Sequence, residues 1–447
     1  MSRMIKKTKK TALTGLRGKK IALLGFGLDN RALLALLEEH KITAKITICD
    51  ARSLSALPEV KSAYSKINYQ LGSASNKNLH NFNILFRSPG WPPACPGIRA
   101  ALKKGHTELS SPLNLFFSLH PSKNIIGVTG TKGKGTTASL IYQILKDAKK
   151  RVLLGGNIGI PPLGFLDKIK STDYVVLELS SFQLEDLKYS PRFAVITNLF
   201  KEHLAPADPH NPNFHPSYNA YWRAKLQIAE NPENKYLIVN QTLSSKIKAA
   251  KIKTKIIYFR PSSLPSLLAG DFNRQNIAAV VALAEVLKIK PAVYKKTIAN
   301  FSNLEHRLEF VKKIKGVKYF DNSFSTTPES TALDLRSFSE PIILIAGGAD
   351  KGADFRPLAK TITKRVKLLI LLSGKATPRL RRAVLTAGLP KNRLSAAASM
   401  AEAVKLAKTT GGAGDVVLLS AACASFGLFK NYKERGDLFK KYVRSRR

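Results

Sequence analysis

The stretch Lys123-Asn124-Ile125-Ile126-Gly127-Val128-Thr129-Gly130-Thr131-Lys132-Gly133-Lys134-Gly135-Thr136-Thr137 decides how the chain is read. A β-branched run, Ile125 to Thr129, breaks into a glycine-dense turn, and the apolar spacing of Leu140, Ile141, Ile144 and Leu145 then marks a helix. The order is strand, phosphate loop, helix. Glycines let backbone N–H groups converge on phosphate oxygens, the helix N-terminus adds positive dipole, and Lys134 adds a full charge. A nucleoside triphosphate fits such a cradle. The strict phosphate-loop pattern wants a glycine where Val128 stands and a Ser or Thr where Gly135 stands, so the generic motif fails at those places. A glycine-rich turn that binds no nucleotide is the alternative, disfavoured by the strand and helix on either side.

Length suggests about three domains, and a hydrophobic content of 44% is ample for several buried cores. Lys+Arg number 73 against 30 Asp+Glu, a formal charge of +43. The lysines recur on nearly every predicted helix and build no single patch with interleaved aromatics. The excess therefore reads as a solubility trait that also draws in anionic substrates, with no obligate nucleic acid. Cys49, Cys95 and Cys423 lie far apart and form no CxxC, which suits a reducing cytoplasm. The run Ile21 to Leu28 is too short and glycine-rich for a signal peptide, and no other run could span a bilayer. A soluble, cytoplasmic protein is expected.

Ahead of the loop, Ile21-Ala22-Leu23-Leu24-Gly25-Phe26-Gly27-Leu28-Asp29-Asn30-Arg31 is again strand, glycine turn and helix. A second strand, Ile46 to Cys49, ends at Asp50-Ala51-Arg52, where a nucleotide-binding βαβ unit carries its acidic residue. Asn30, followed by Arg31, stands where the third glycine of G-x-G-x-x-G is expected, so an NAD cofactor is not. Ile84 to Arg87 reads as a strand ending in the turn Ser88-Pro89-Gly90, and Ser110-Ser111-Pro112 closes this first domain.

Beyond the loop, the apolar strand from Tyr174 ends at Glu178, followed by Leu179-Ser180-Ser181-Phe182-Gln183-Leu184. Such strands belong to parallel sheets covered on both faces; Glu178 at the C-terminal edge reads as a metal ligand, or else as a structural partner for a lysine. His203, His210 and His215 share a polar, proline-broken loop, which permits a zinc site but offers no cysteine or carboxylate at ligand spacing. Lys225 lies on a helix, Tyr218 to Ala229. Asp271 caps a helix that sets Asn273 and Asn276 one turn apart, able to read an adenine edge or to act as caps. After a boundary near Leu304, strands Val317 to Asp321, Ile342 to Ala346, Leu368 to Leu372 and Val416 to Leu419 end in glycine, serine and lysine. They suggest a third α/β domain whose ligand carries a carboxylate, with plain glycine turns as the alternative.

Glu178 to Leu184, Ser420-Ala421-Ala422-Cys423-Ala424-Ser425, Phe429-Lys430-Asn431-Tyr432 and Arg435-Gly436, in order with the loop, resemble the Mur ligase family, and within it the branch that adds D-glutamate. The resemblance covers nearly the whole chain. It implies an α/β fold in three domains after a basic tail (1–18): a Rossmann-like N-terminal domain for a UDP substrate (19–112), a central phosphate-loop ATPase-type domain on a mixed or parallel sheet (113–304), and a Rossmann-like C-terminal α/β domain for the amino acid (305–447). The implied activity is ATP-dependent amide ligation through an acyl phosphate, on UDP-N-acetylmuramoyl-L-alanine and D-glutamate, by a monomer using Mg²⁺ at two sites or Mn²⁺, with a hinge near Leu304.

Carried over position by position, the resemblance implies ATP binding by Gly130, Thr131, Lys132, Gly133, Lys134, Gly135, Thr136, Thr137, Asn273, Asn276, Arg307 and Asp321. Metal falls to Thr136, Glu178, His203 and Lys225, the last as a carbamate, and the catalytic group is Lys134, Glu178, His203 and Lys225. Substrate contacts fall to Leu28, Asp50, Arg52, Ser88, Asn157, Ser181, Gln183, Ser325, Lys351, Ser425 and Tyr432. The chain departs from the family's pattern at Glu202, Ala205, Phe272 and Ser323. Two rival readings are a folylpolyglutamate synthase-like ligase, which lacks the leading domain, and a non-catalytic RNA-binding scaffold.

Overall fold

The computed structural model describes residues 13–57, 67–204, 213–268, 271–302, 304–350 and 352–445. Three sheets are present among them, and each follows from short apolar runs that alternate with helices. The first contains β1 (Lys20–Leu24), β2 (Lys45–Asp50), β3 (Asn68–Leu71), β4 (Ile84–Arg87) and β5 (Glu108–Ser110) in the order β3-β2-β1-β4-β5, parallel throughout. The strand order reverses between β1 and β4, so their C-terminal ends open a crevice of the kind that receives ligands.

The second sheet contains β6 (Asn124–Thr129), β7 (Val152–Gly156), β8 (Tyr174–Glu178), β9 (Phe193–Ile196), β10 (Tyr236–Asn240) and β11 (Lys255–Phe259), ordered β11-β10-β9-β6-β8-β7. It too is parallel. Val175, Val176 and Leu177 are fully buried, as a parallel sheet covered on both faces requires. The third contains β12 (Glu309–Ile314), β13 (Val317–Asp321), β14 (Ile342–Ala346), β15 (Val366–Leu372), β16 (Leu394–Ala397) and β17 (Val416–Leu419), ordered β12-β13-β17-β14-β15-β16. Here β12 runs antiparallel to β13, joined by a turn at Lys315-Gly316, and the remaining pairs are parallel. The edge strand β12 falls where the sequence marks only a boundary near Leu304; its adjacent, exposed Lys312 and Lys313 break the apolar alternation.

The chain divides into two compact units, Met1–Arg260 with Ala278–Val293, and Pro261–Ile277 with Tyr294–Arg447. In the first, one apolar core runs from Leu13 and Leu16, inside the stretch read as tail, through Phe116, Phe165 and Leu177 to Ile247. The first two sheets are further tied by Arg87, a 1% exposed guanidinium at the end of β4. Its Nε and Nη2 donate to the two carboxylate oxygens of Asp186 at 2.9 and 2.8 Å, and Nη2 also donates to Phe182 O at 2.8 Å. In the second unit, two cores cover the faces of the third sheet.

Removing one partner of a buried pair strands the other's charge, at a cost of about 3–5 kcal/mol. Arg87→Ala is therefore expected to lower stability by about that amount, read as a lower denaturant midpoint.

Candidate active site

The phosphate loop follows β6 and passes directly into the helix Lys134–Asp147. Gly130 adopts φ +148°, and a Cβ there would meet Thr197 Oγ1 at 2.0 Å; no side chain fits. Gly133, at the helix N-cap, is left-handed with φ +79°. The end of β9 braces the loop from beneath. Asn198 Oδ1 accepts from Lys132 N at 2.9 Å, Asn198 Nδ2 donates to Lys132 O at 2.9 Å, and Thr197 Oγ1 donates to the same carbonyl at 2.8 Å. Thr131 Oγ1 accepts from Phe200 N and lies 3.0 Å from Tyr221 Oη.

Two lysines converge on one carbonyl. Lys134 Nζ donates to Gly130 O at 3.1 Å and Thr131 O at 2.9 Å, and Lys225 Nζ reaches Gly130 O at 2.7 Å. Lys225 is 1% exposed and lies over the Tyr221 ring, 4.5 Å from its centroid. Burial first, then the neighbouring Lys134 charge, hold its pKa well below the ordinary lysine value, while Glu202 and Glu178 pull the other way. A lysine on a helix ordinarily faces solvent, and packing buries this one.

Across the sheet edge, Glu178 is buried at the end of β8. Asn157 Nδ2 donates to its Oε1 at 3.1 Å, and its Oε2 has no hydrogen-bond partner. A buried carboxylate oxygen left bare beside the loop is what a cation site needs, so the residues fit a metal ion. Glu202 pairs with Lys132 through Oε1; burial pushes its pKa up, but the Lys132 ammonium outweighs that and holds it low. His203 has φ +58°, a conformation that non-glycine residues rarely adopt, and burial with the charges of Lys134, Lys225 and Lys132 lowers its pKa against Glu202. Thr137 Oγ1 is also buried without a partner, and Thr136 stands beside it in the first turn.

His203 and His215 both lie against Phe182, at ring-centroid distances of 5.0 and 4.9 Å. Among the described residues no cluster of three metal-ligating His, Cys, Asp or Glu includes either of them, and His210 lies outside those residues. The zinc reading gains nothing. Ser181 Oγ lies 2.9 Å from His215 Nε2, and Gln183 closes a capping box with Ser180 on the short helix Ser181–Leu184.

At the crevice of the first sheet, Asp50 Oδ2 accepts from Phe26 N at 2.8 Å, and both its oxygens are held by Arg52. Burial raises the Asp50 pKa, and the Arg52 and backbone hydrogen bonds bring it below the usual range. Ser88 follows β4 beside Gly25, and Leu28 is 65% exposed at the helix start. Asn30 explains the missing third glycine: its buried amide donates to the carbonyls of Gly25 and Phe86 at 2.8 and 3.1 Å, so the position is spent on joining β1 to β4.

In the second unit, Asn276 Nδ2 donates to Asn273 Oδ1 at 2.9 Å. Asp321, at the end of β13, meets His306 Nδ1 at 2.7 Å, and Arg307 lies 3.7 Å above the Phe324 ring. Ser325 Oγ lies 3.1 Å from Thr331 Oγ1, Ser425 is buried after β17, and Tyr432 opens the helix Tyr432–Arg444. Lys351 and Ala205 lie outside the described residues. Ser323, one of the departures from the family's pattern, is enclosed by Arg435, whose Nε and Nη2 donate to its Oγ and O at 2.9 and 2.8 Å. Arg435 and His306 were not picked out as functional from sequence. Gly436 carries the signal, because a Cβ there would meet His306 Nδ1 at 2.1 Å.

Residues 128–263 match the Mur ligase middle domain, and residues 306–423 match the Mur ligase, glutamate ligase domain. The chain is 35% identical to a UDP-N-acetylmuramoylalanine–D-glutamate ligase of Acetivibrio thermocellus, covering 96% of this chain and 97% of that one. It is 34% identical to the enzyme of that name from Clostridium tetani, over 96% and 97%.

The chain belongs to the Mur ligase family.

It is thus an ATP-dependent ligase. Two solved Mur ligases from Thermotoga maritima share its fold: a UDP-N-acetylmuramate–alanine ligase (TM-score 0.53, 16% identity, 96% of this chain and 100% of that one) and a MurF ligase in complex with ADP (TM-score 0.54, 16% identity, 97% and 98%). Among the described residues no helix of this Mur ligase is long and apolar enough to cross a membrane.

Because Asn198 carries two of the hydrogen bonds under the loop, Asn198→Ala is expected to weaken ADP binding by roughly 1–2 kcal/mol, a factor of about 5–30. Isothermal titration with ADP reads this loss, with circular dichroism reporting the fold.

Proposed function

We propose that this Mur ligase joins D-glutamate to UDP-N-acetylmuramoyl-L-alanine, with ATP converted to ADP and phosphate. The observation that carries the reading is the convergence of Lys134 and Lys225 on Gly130 opposite the bare oxygen of Glu178, which prepares one sheet edge for a triphosphate and cations. The shared name of the relatives supports the choice of amino acid and nucleotide.

The loop amides from Gly130 to Gly135, Thr136, Thr137 and Lys134 hold the ATP phosphates, with Asn273, Asn276, Arg307 and Asp321 on the nucleoside. The alanine carboxylate of the muramoyl substrate attacks the γ-phosphate in line and displaces ADP, and Lys134 offsets the charge that grows there. The amine of D-glutamate then attacks the resulting acyl phosphate, and phosphate leaves from the tetrahedral intermediate. Thr136, Glu178, His203 and Lys225 as a carbamate would hold Mg²⁺, which neutralises phosphate charge. Carbamylation needs an uncharged amine, and burial of Lys225 favours that form. Leu28, Asp50, Arg52 and Ser88 serve the uridine nucleotide; Asn157, Ser181 and Gln183 its muramoyl end; Ser325, Lys351, Ser425 and Tyr432 the D-glutamate. The domain division at residues 112 and 304 remains part of this proposal.

Phosphate release with ATP and UDP-N-acetylmuramoyl-L-alanine, measured while the amino acid is varied, is expected to require D-glutamate; activity with another amino acid and none with D-glutamate overturns the assignment. Lys134→Ala is expected to lower turnover by about 10³-fold or more with the fold intact. Lys225→Ala should lose roughly 10- to 100-fold and recover in part when a short carboxylic acid such as acetate is added. Full activity of that variant without acetate sinks the carbamate.

A further inference from the structure

The charge of +43 is spread along the sequence, yet the fold of the second unit gathers part of it around one cavity. The cavity measures about 730 Å³, a size that suits a nucleotide, and every residue lining it belongs to that unit. Five cationic side chains line it from separate elements. Arg274 comes from the helix Asp271–Val286, Lys313 from β12, Lys318 from β13, Arg336 from the end of the helix Pro328–Arg336, and Arg365 from the end of the helix Arg356–Arg365. Among the described residues the one carboxylate in the lining is Glu340, whose Oε1 accepts from Lys318 Nζ at 3.0 Å. Arg365 is fixed by a hydrogen bond of 3.0 Å from its Nη1 to Phe338 O. A concave surface with this surplus of one sign concentrates anions.

The floor is of another kind. Phe310, Phe320 and Phe338 form a continuous row of rings, with successive centroids 5.5 and 4.9 Å apart, and Leu264 and Leu267 add apolar wall. Ser266 and Ser337 contribute hydroxyls. Several phosphates satisfy the cations, and a planar ring with polar edges satisfies an apolar floor supplied with hydroxyls. An acyl chain would meet charge on its walls instead.

The place in the sheet separates this cavity from residues already given roles. Lys318 lies near the start of β13, Glu340 just before β14 and Arg365 just before β15, which is the N-terminal edge of these parallel strands. Asp321 ends β13, and its side chain points to the face opposite that of Phe320, against His306 and Gly436. We propose that the cavity is a nucleotide site additional to the phosphate loop, taking a nucleoside polyphosphate with its phosphates on the cationic rim and its nucleoside over the phenylalanine floor.

The test uses the full chain. Isothermal titration with ADP is expected to show two sites. Lys313 and Arg336 are exposed, and replacing them together, Lys313→Glu with Arg336→Glu, should weaken one site by about tenfold or more and leave the other, with circular dichroism reporting the fold. Lys134→Ala should weaken only the site that the charge reversal spares. A single site in the wild type, or two sites that both ignore the charge reversal, overturns the proposal. Should the double variant fail to fold, Arg336→Glu alone takes its place. Pyrophosphate, which lacks the nucleoside, is expected to bind the charge-sensitive site at least about tenfold more weakly than ADP, and Phe310→Ala should shrink that preference. Pyrophosphate as tight as ADP at that site, or a preference undiminished in Phe310→Ala, overturns the nucleoside assignment.

Discussion

Crowded positive charge on a single backbone carbonyl is the constraint around which the first unit is built. Lys134 and Lys225 both end on Gly130 O, with Lys132 close by and Glu202 and Glu178 opposing them. Like charges packed this closely, one of them buried, are costly unless anions join them or an amine gives up its proton. Both remedies serve the same chemistry, since a triphosphate supplies the anions and an uncharged amine can become a carbamate. The loop can hold this arrangement because Gly130 lies against Thr197 and because Asn198 pins Lys132 on both sides of its peptide.

The architecture exists to bring such edges into register. Parallel strands put all their C-terminal ends on one side, so β6, β8 and β9 deliver the loop, Glu178 and Asn198 to one place. Arg87 ties the first sheet to the residues that follow Glu178, which places the crevice of the first sheet and the loop after β6 in a single unit. In the second unit Arg435 holds the turn after β13 through Ser323. There a buried guanidinium from the last helix occupies the space around a small side chain.

Much of this was legible in the sequence, because the signals involved are local. Glycine density after a β-branched run marks a tight turn from strand to helix, and an apolar strand that stops at Glu178 marks a sheet edge. The third domain was legible from its strand ends. Less local features were not: β12 pairs antiparallel through a turn whose flanking lysines hide its alternation, and Leu13 and Leu16 join a core that is assembled from residues more than a hundred positions away.

The sequence by itself determined the kinds of group available: the loop, the acidic strand end, the histidines and the lysine-bearing helix. Only the tertiary structure decided their states. Lys225 is a solvent lysine by helix pattern and a buried, easily deprotonated amine by packing, because desolvation depends on neighbours that no local pattern contains. His215 reads as one of three loop histidines, yet the fold stacks it on the Phe182 ring and turns it to Ser181 and Glu185. Charge and hydrogen-bond direction are set by what surrounds a group in space, and a chain written in one dimension holds only the group.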